Sequence, residues 1–498
     1  MAGLIPLKQE NLSLLPDSVS RPTYDRSGLQ AGIVHIGVGG FHRSHQAYYT
    51  DKLLANPDNR DWAICGVGLR EGDRKIAQVL EEQDYLYTLI VKHPDGRIEN
   101  RVVGSLIDFM LAPDDPAAVI ERMANPSTRI VSLTITEGGY LLNPATGEFE
   151  INHPDVQHDL ANPENPRLVF GYLTAALRLR RDRGLRAFTV QSCDNIEHNG
   201  DVTREMLLAF VEAQDPKLAT WIEDEVAFPN AMVDRITPVT TAADIDYLKD
   251  EVNLHDEWPV TCEPFCQWVI EDDFTNGRPQ WETVGAQFVP DVTPYETMKL
   301  RLLNAGHSVL GILGSVDGHQ TIDGCVKDPL FATYLRRFMD IEVTPVLEPV
   351  EGIDLEDYKS SLIERFGNSN IKDNLVRICS ESSAKLPKFL IPTINENLAA
   401  GGSVKYAALV IAAWCYYSNK HQDKEGRPLE IIDEMEQVLH AAAKETRKDK
   451  LSFLKIESIF GDLVKNPVFT DEYVRMIDEI TGNPDIARQM QTLLFGWE

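Results

Sequence analysis

Five short apolar runs punctuate the first part of the chain: IVHIGV (33–38), WAICGV (62–67), YLYTLIV (85–91), IVSLTIT (130–136) and FTVQSC (188–193). Helical stretches such as PAAVIERMAN (116–125) and LVFGYLTAALRLRRDRG (168–184) separate the later ones. Short β-branched runs alternating with helices are the pattern of a parallel α/β sheet, and ligands of such sheets bind beyond the carboxyl ends of the strands. After about Pro294 the strand pattern nearly stops. YETMKLRLLNAGHSVLGILGSV, DPLFATYLRRFMD, DLEDYKSSLIERFGN, GSVKYAALVIAAWCYYSNK and LEIIDEMEQVLHAAAKETRK all repeat apolar residues at helical spacing. The expected architecture is α/β plus all-α: a Rossmann-like dinucleotide-binding domain over residues 1–290, then a mostly helical domain over 291–498 that binds substrate and carries the chemistry. The length of 498 residues requires at least two domains, because a single core stops growing at roughly 250–300 residues. With no repeat, low-complexity tract or flexible linker between them, the two are expected to pack closely.

The first run leads into Gly37, Gly39 and Gly40 and then into a helical segment. A strand that ends in a glycine turn and opens a helix suits a pyrophosphate: Gly37 makes the tight turn, Gly39 lets backbone approach the phosphates, and the helix points its N-terminus at them. His42 stands where the third glycine of the usual fingerprint would be. With Phe41 and Arg43 it either contacts the phosphates or packs inside the turn. The next strand ends near Glu71 and Asp73, acids able to accept from the ribose hydroxyls of NAD. They come 31 and 33 residues after Gly40, a loose spacing, and the flanking Arg70 and Arg74 could instead bind the 2′-phosphate of NADP. NAD is the expected cofactor.

Composition removes several classes. Seventy-seven acidic against 48 basic side chains give a net charge of −29, which repels nucleic acid and anionic lipid surfaces. The N-terminal stretch lacks a charged region followed by a long apolar run, and the most apolar stretch, 407–417, is about half a membrane span. No membrane association is expected. Seven cysteines without framework spacing fit a reducing, cytoplasmic compartment. Cys262 and Cys266 form a close pair, but two ligands without a matching second pair fall short of a zinc site.

Chemistry concentrates at PYETMKLRLLNAGHSVLG (294–311). At about 100° per residue, Glu296, Lys299, Asn304 and His307 share an arc of roughly 140° with Leu300 and Leu303. The arrangement is either a surface face with ordinary ion pairs or a site for polyol oxidation. In a site, Lys299 would be the general base, the Asn304 amide would donate to a developing alkoxide, His307 would orient a hydroxyl, and Glu296 would pass the proton to solvent. Tyr295 and Lys299 also spell Tyr-x3-Lys, the pair of short-chain dehydrogenases, although here the pair begins a helical domain.

Gly-x-Gly-Gly-Phe-His-Arg-x-His-Gln at 37–46, SLTITEGGY at 132–140, SCDN at 192–195, VDRITP at 233–238, CEPFCQWVIED at 262–272 and KLRLLNAGHS at 299–308 together resemble the polyol-specific long-chain dehydrogenases. The resemblance implies a zinc-independent, NAD-dependent enzyme that interconverts a polyol and a ketose and works as a monomer. It implies Lys299 as general base, Asn195 and Asn304 as the oxyanion pair, and His307 holding substrate. Asp234, Arg377 and Lys385 match the family's substrate contacts, and Phe-His-Arg after the glycines is the family's own pattern. The rivals are a uronate reductase on the same scaffold and a noncatalytic NAD sensor, which would not need lysine, asparagine and histidine aligned on one helix.

Overall fold

The computed structural model describes residues 3–143 and 147–496, in two compact units, Met1–Thr293 and Pro294–Glu498. The first is built on a five-stranded sheet: β1 (Ala31–Ile36), β2 (Ala63–Gly68), β3 (Leu106–Leu111), β4 (Ile130–Leu133) and β5 (Thr189–Ser192). Neighbouring strands are parallel and lie in the order β3-β2-β1-β4-β5. Strand side chains alternate between faces, and both faces here are covered. Val34, Ile36, Cys65, Val67, Val131 and Leu133 join one core with Phe170, Leu173 and Phe210, while Ile33, Ile64 and Ile130 join another with Leu53, Tyr87 and Trp268. Two-sided burial explains why these strands read as unbroken apolar runs.

One run belongs elsewhere. Tyr87–Lys92 pairs antiparallel with Ile98–Val103 in a separate four-stranded sheet, closed through Gly96 at φ +89°. The third strand of the parallel sheet is instead β3, LIDFML, which sits at the sheet edge with most of its side chains half-buried and so lacks a continuous apolar signature.

The second unit is helical among its described residues, apart from isolated bridges. Its central helix, α1 (Ala305–Asp317), is buried almost all round, and α2 (Lys405–Lys420) buries the entire 407–417 stretch. No helix among the described residues is long and apolar enough to cross a membrane. Helical spacing overreached at 429–448, where only Glu436–Glu445 is α-helix.

Candidate active site

The glycine turn directly succeeds β1. Gly37 donates its N–H to Val67 O at 3.0 Å and adopts φ +94°, where a Cβ would lie 2.1 Å from Thr134 O; both the backbone angle and the closeness of β4's continuation demand glycine. Gly39 differs. It is exposed and extended, and a Cβ there would meet no protein atom closer than 3.9 Å. The protein interior does not require that glycine, whereas a ligand lying against the backbone does. Gly40 and Phe41 start the short helix Gly40–Ser44.

His42 and Arg43 turn inward. The His42 ring stacks on His35, centroids 3.5 Å apart, and is 1% exposed. Burial lowers His35 to about 3 and drives His42 well below the usual histidine range, so both rings are neutral. Arg43 donates from Nη1 to Trp258 O at 2.5 Å and lies over the Tyr87 ring. Of the two placements open to His42, packing inside the turn is the one adopted, and Phe41 is half-buried with its ring stacked on His45. At the end of β2, Asp73 accepts from Arg70 N at 3.0 Å, and Glu71 is exposed and ion-paired with Arg74.

Beyond β4 and β5 the backbone is strained. Thr136 stands at φ +62°, ψ 165°, a region that β-branched residues avoid. Asp194 holds it there: its carboxylate accepts from Ile135 N at 3.0 Å, Thr136 N at 2.8 Å and Tyr140 Oη at 2.7 Å. Asn195, next in the chain, is exposed. Asn199 ties this loop to the strand Ala231–Asp234, donating from Nδ2 to Asp194 O and Ala231 O and accepting from Ala231 N. Asp234 ends that strand, 4% exposed.

In the second unit, Glu296 and Lys299 lie on the helical turn Thr293–Lys299 and are 5% and 6% exposed, which removes the alternative of a solvated surface face for these two. The helix then widens: Leu300–Asn304 is a π-turn, with Ala305 N donating to Leu300 O, before α1 continues. Single π-turns within helices are frequent at functional sites. Residues five apart lie about 140° apart around an α-helix, and the extra residue in the turn brings Lys299 and Asn304 closer to one face than uniform spacing predicts. Asn304 Oδ1 is buried without a hydrogen-bond partner among the described residues. The His307 ring packs against Phe366, centroids 4.2 Å apart. Tyr295 is buried and donates its hydroxyl to Glu351 O at 2.7 Å. A hydroxyl so committed is not placed to pair with Lys299. Arg377 is exposed and paired with Asp373, and Lys385 Nζ donates to Ile378 O at 3.3 Å.

Sequence reasoning gave no role to a buried chain that fixes the glycine turn over the sheet. His35 Nδ1 meets Ser132 Oγ at 2.8 Å, Ser132 Oγ donates to Gln46 Oε1 at 2.8 Å, and Gln46 Nε2 reaches Gln191 Oε1 at 3.4 Å. Polar residues inside otherwise apolar strands were the available signal. Arg235 was also missed: buried, it donates to Ser44 O at 2.6 Å and Glu263 O at 3.0 Å and lies over the Tyr48 ring.

Comparison with known proteins gives two family matches, the mannitol dehydrogenase Rossmann domain over residues 31–283 and the mannitol dehydrogenase C-terminal domain over residues 291–481. Mannitol 2-dehydrogenase of Aspergillus fumigatus is 45% identical, over 98% of each chain. The structure of Pseudomonas fluorescens mannitol 2-dehydrogenase, a ternary complex with NAD and D-mannitol, superposes with a TM-score of 0.88 at 47% identity, covering 98% of this chain and 99% of that one. A substrate-free D-sorbitol dehydrogenase gives a TM-score of 0.90 at 38% identity, over 97% and 100%. By both of its domains and along nearly its whole length, this chain belongs to the mannitol dehydrogenase family.

Proposed function

We propose that the protein is an NAD-dependent mannitol 2-dehydrogenase that interconverts D-mannitol and D-fructose without a metal ion. The observation that carries the reading is Lys299, buried at the mouth of a π-turn that draws Asn304 toward its face. Identities of 45–47% to mannitol 2-dehydrogenases, one of them solved with NAD and D-mannitol, support the substrate and cofactor. The turn at Gly37–Gly40 fits a dinucleotide, since Gly39 leaves open the space a pyrophosphate needs. Bound there, NAD would supply the hydride acceptor.

Lys299 removes the hydroxyl proton at the second carbon of the polyol, and returns one to the ketose in the reverse direction. The Asn304 amide donates to the oxygen as negative charge grows on it, a contact of the kind worth about 2.7–4 kcal/mol of barrier. His307, seated against Phe366, orients a substrate hydroxyl. Glu296, one turn before Lys299, relays the proton toward solvent.

Lys299→Ala tests this. Polyol oxidation should fall severely while NADH binding, measured by fluorescence titration, changes little, because the glycine turn lies in the other unit. The lysine must lose its own proton before it can accept another, so wild-type oxidation should rise with pH and ketose reduction should fall. A variant that keeps wild-type turnover and pH profile would place the base elsewhere. A panel of mannitol, sorbitol, arabinitol and uronates fixes the substrate.

A further inference from the structure

Arg74 opens the helix Arg74–Glu82 that comes after β2, the region where a nearby arginine accommodates the 2′-phosphate in folds that bind NADP. Here its guanidinium is held from two sides. Nε and Nη2 donate to the Glu71 carboxylate, with Nη2 to Oε2 at 2.9 Å. Nη1 and Nη2 donate to the two oxygens of Asp114 at 3.0 and 2.7 Å. Asp114 comes from a different part of the chain, three residues past the end of β3, the strand beside β2. The guanidinium holds both carboxyls below their ordinary range, so both are charged at neutral pH. Two carboxylates against one guanidinium leave net negative charge three residues beyond β2, close to the glycine turn through Gly37 N and Val67 O.

We propose that Asp114 is a positioning residue for cofactor selectivity: by forking Arg74 against Glu71 it withholds that guanidinium from a 2′-phosphate and keeps the ribose edge of the site negative. The proposal rests on the reading of the glycine turn as an NAD site. An exposed ion pair alone contributes little. Two planar forks on one guanidinium, however, fix its direction as well as its charge, and direction is what bidentate phosphate recognition needs. Asp114 acts through Arg74 and not by contact with the ribose, which gives the idea its own signature.

Calorimetric titration of the full-length protein with adenosine 2′,5′-bisphosphate and with NADH reads this without turnover, at low ionic strength where exposed charges are least screened. The Asp114 side chain is 56% exposed, so its substitution does not endanger the fold. Asp114→Asn should bind the bisphosphate about tenfold more tightly than wild type. The gain should vanish in the Asp114→Asn, Arg74→Ala double variant and should not arise in Asp114→Glu. Wild-type affinity in Asp114→Asn overturns the proposal. So does a gain that survives loss of Arg74, which would hand the role to Arg70. If the wild-type protein binds neither NADH nor the bisphosphate, the cofactor reading itself falls, a result distinct from either.

Discussion

Gly37 combines two demands that no other residue meets, a φ of +94° and a carbonyl 2.1 Å from any added Cβ. Gly37→Ala should therefore destabilise the first unit by about 2 kcal/mol or more and abolish NADH binding, while Gly39→Ala, with open space at the same turn, should keep stability near wild type and lose cofactor affinity only. Denaturant unfolding paired with NADH titration separates the two, and equal destabilisation by both would contradict the account. These glycines were legible in the sequence because turn chemistry is local. Lys299, Asn304 and His307 were legible because helical periodicity gathers them. The inward packing of His42 and Arg43 was not, since a side chain at a helix start faces sheet or ligand according to what lies beneath it, and His35 and Tyr87 come from other elements. Asp194 and Thr136 were hidden for a similar reason: a residue with φ +62° carries no mark in its identity, and the carboxylate that holds it lies 58 residues away.

At the scale of elements, long uniform helices and two-sided strands were readable, and departures from uniform period were not. The π-turn at Leu300–Asn304 and a second at Met339–Val343 leave the apolar pattern nearly intact while changing the phase of the downstream helical residues. The second π-turn presents Glu342, 1% exposed, to the start of α2, where its carboxylate accepts from Tyr406 N, Ala407 N and Ser403 Oγ at 2.8, 2.9 and 3.0 Å. Burial outweighs these donors and raises the carboxyl to about 7. A folded pKa above the unfolded one stabilises fully below the unfolded value and is lost as pH rises through the folded value. The stability of wild type relative to Glu342→Gln should thus decline between about pH 4.5 and 7, by an amount on the order of 3 kcal/mol. Urea unfolding of both proteins at the two ends of that window measures it, and a constant difference would show that the three donors win.

Across the whole molecule, the charge of −29 sits on two units of different construction. Among the described residues no three His, Cys, Asp or Glu side chains are grouped as metal ligands, and the close pair Cys262 and Cys266 falls short of the three or four that a zinc site needs. Treatment with EDTA should accordingly leave polyol oxidation unchanged; loss of activity restored by zinc would refute the metal-free mechanism. The strand order carries a consequence for synthesis. β1 is flanked by β2 and β4, and its partner across the buried polar chain, Ser132, lies 97 residues after His35. A ribosome adding about 5–20 residues per second leaves that side of β1 bare for roughly 5–20 s. Through that interval the unpaired N–H and C=O groups along that edge of β1 are open to other nascent chains, so yield in cells should depend on translation speed and chaperone supply well before any question of catalysis arises.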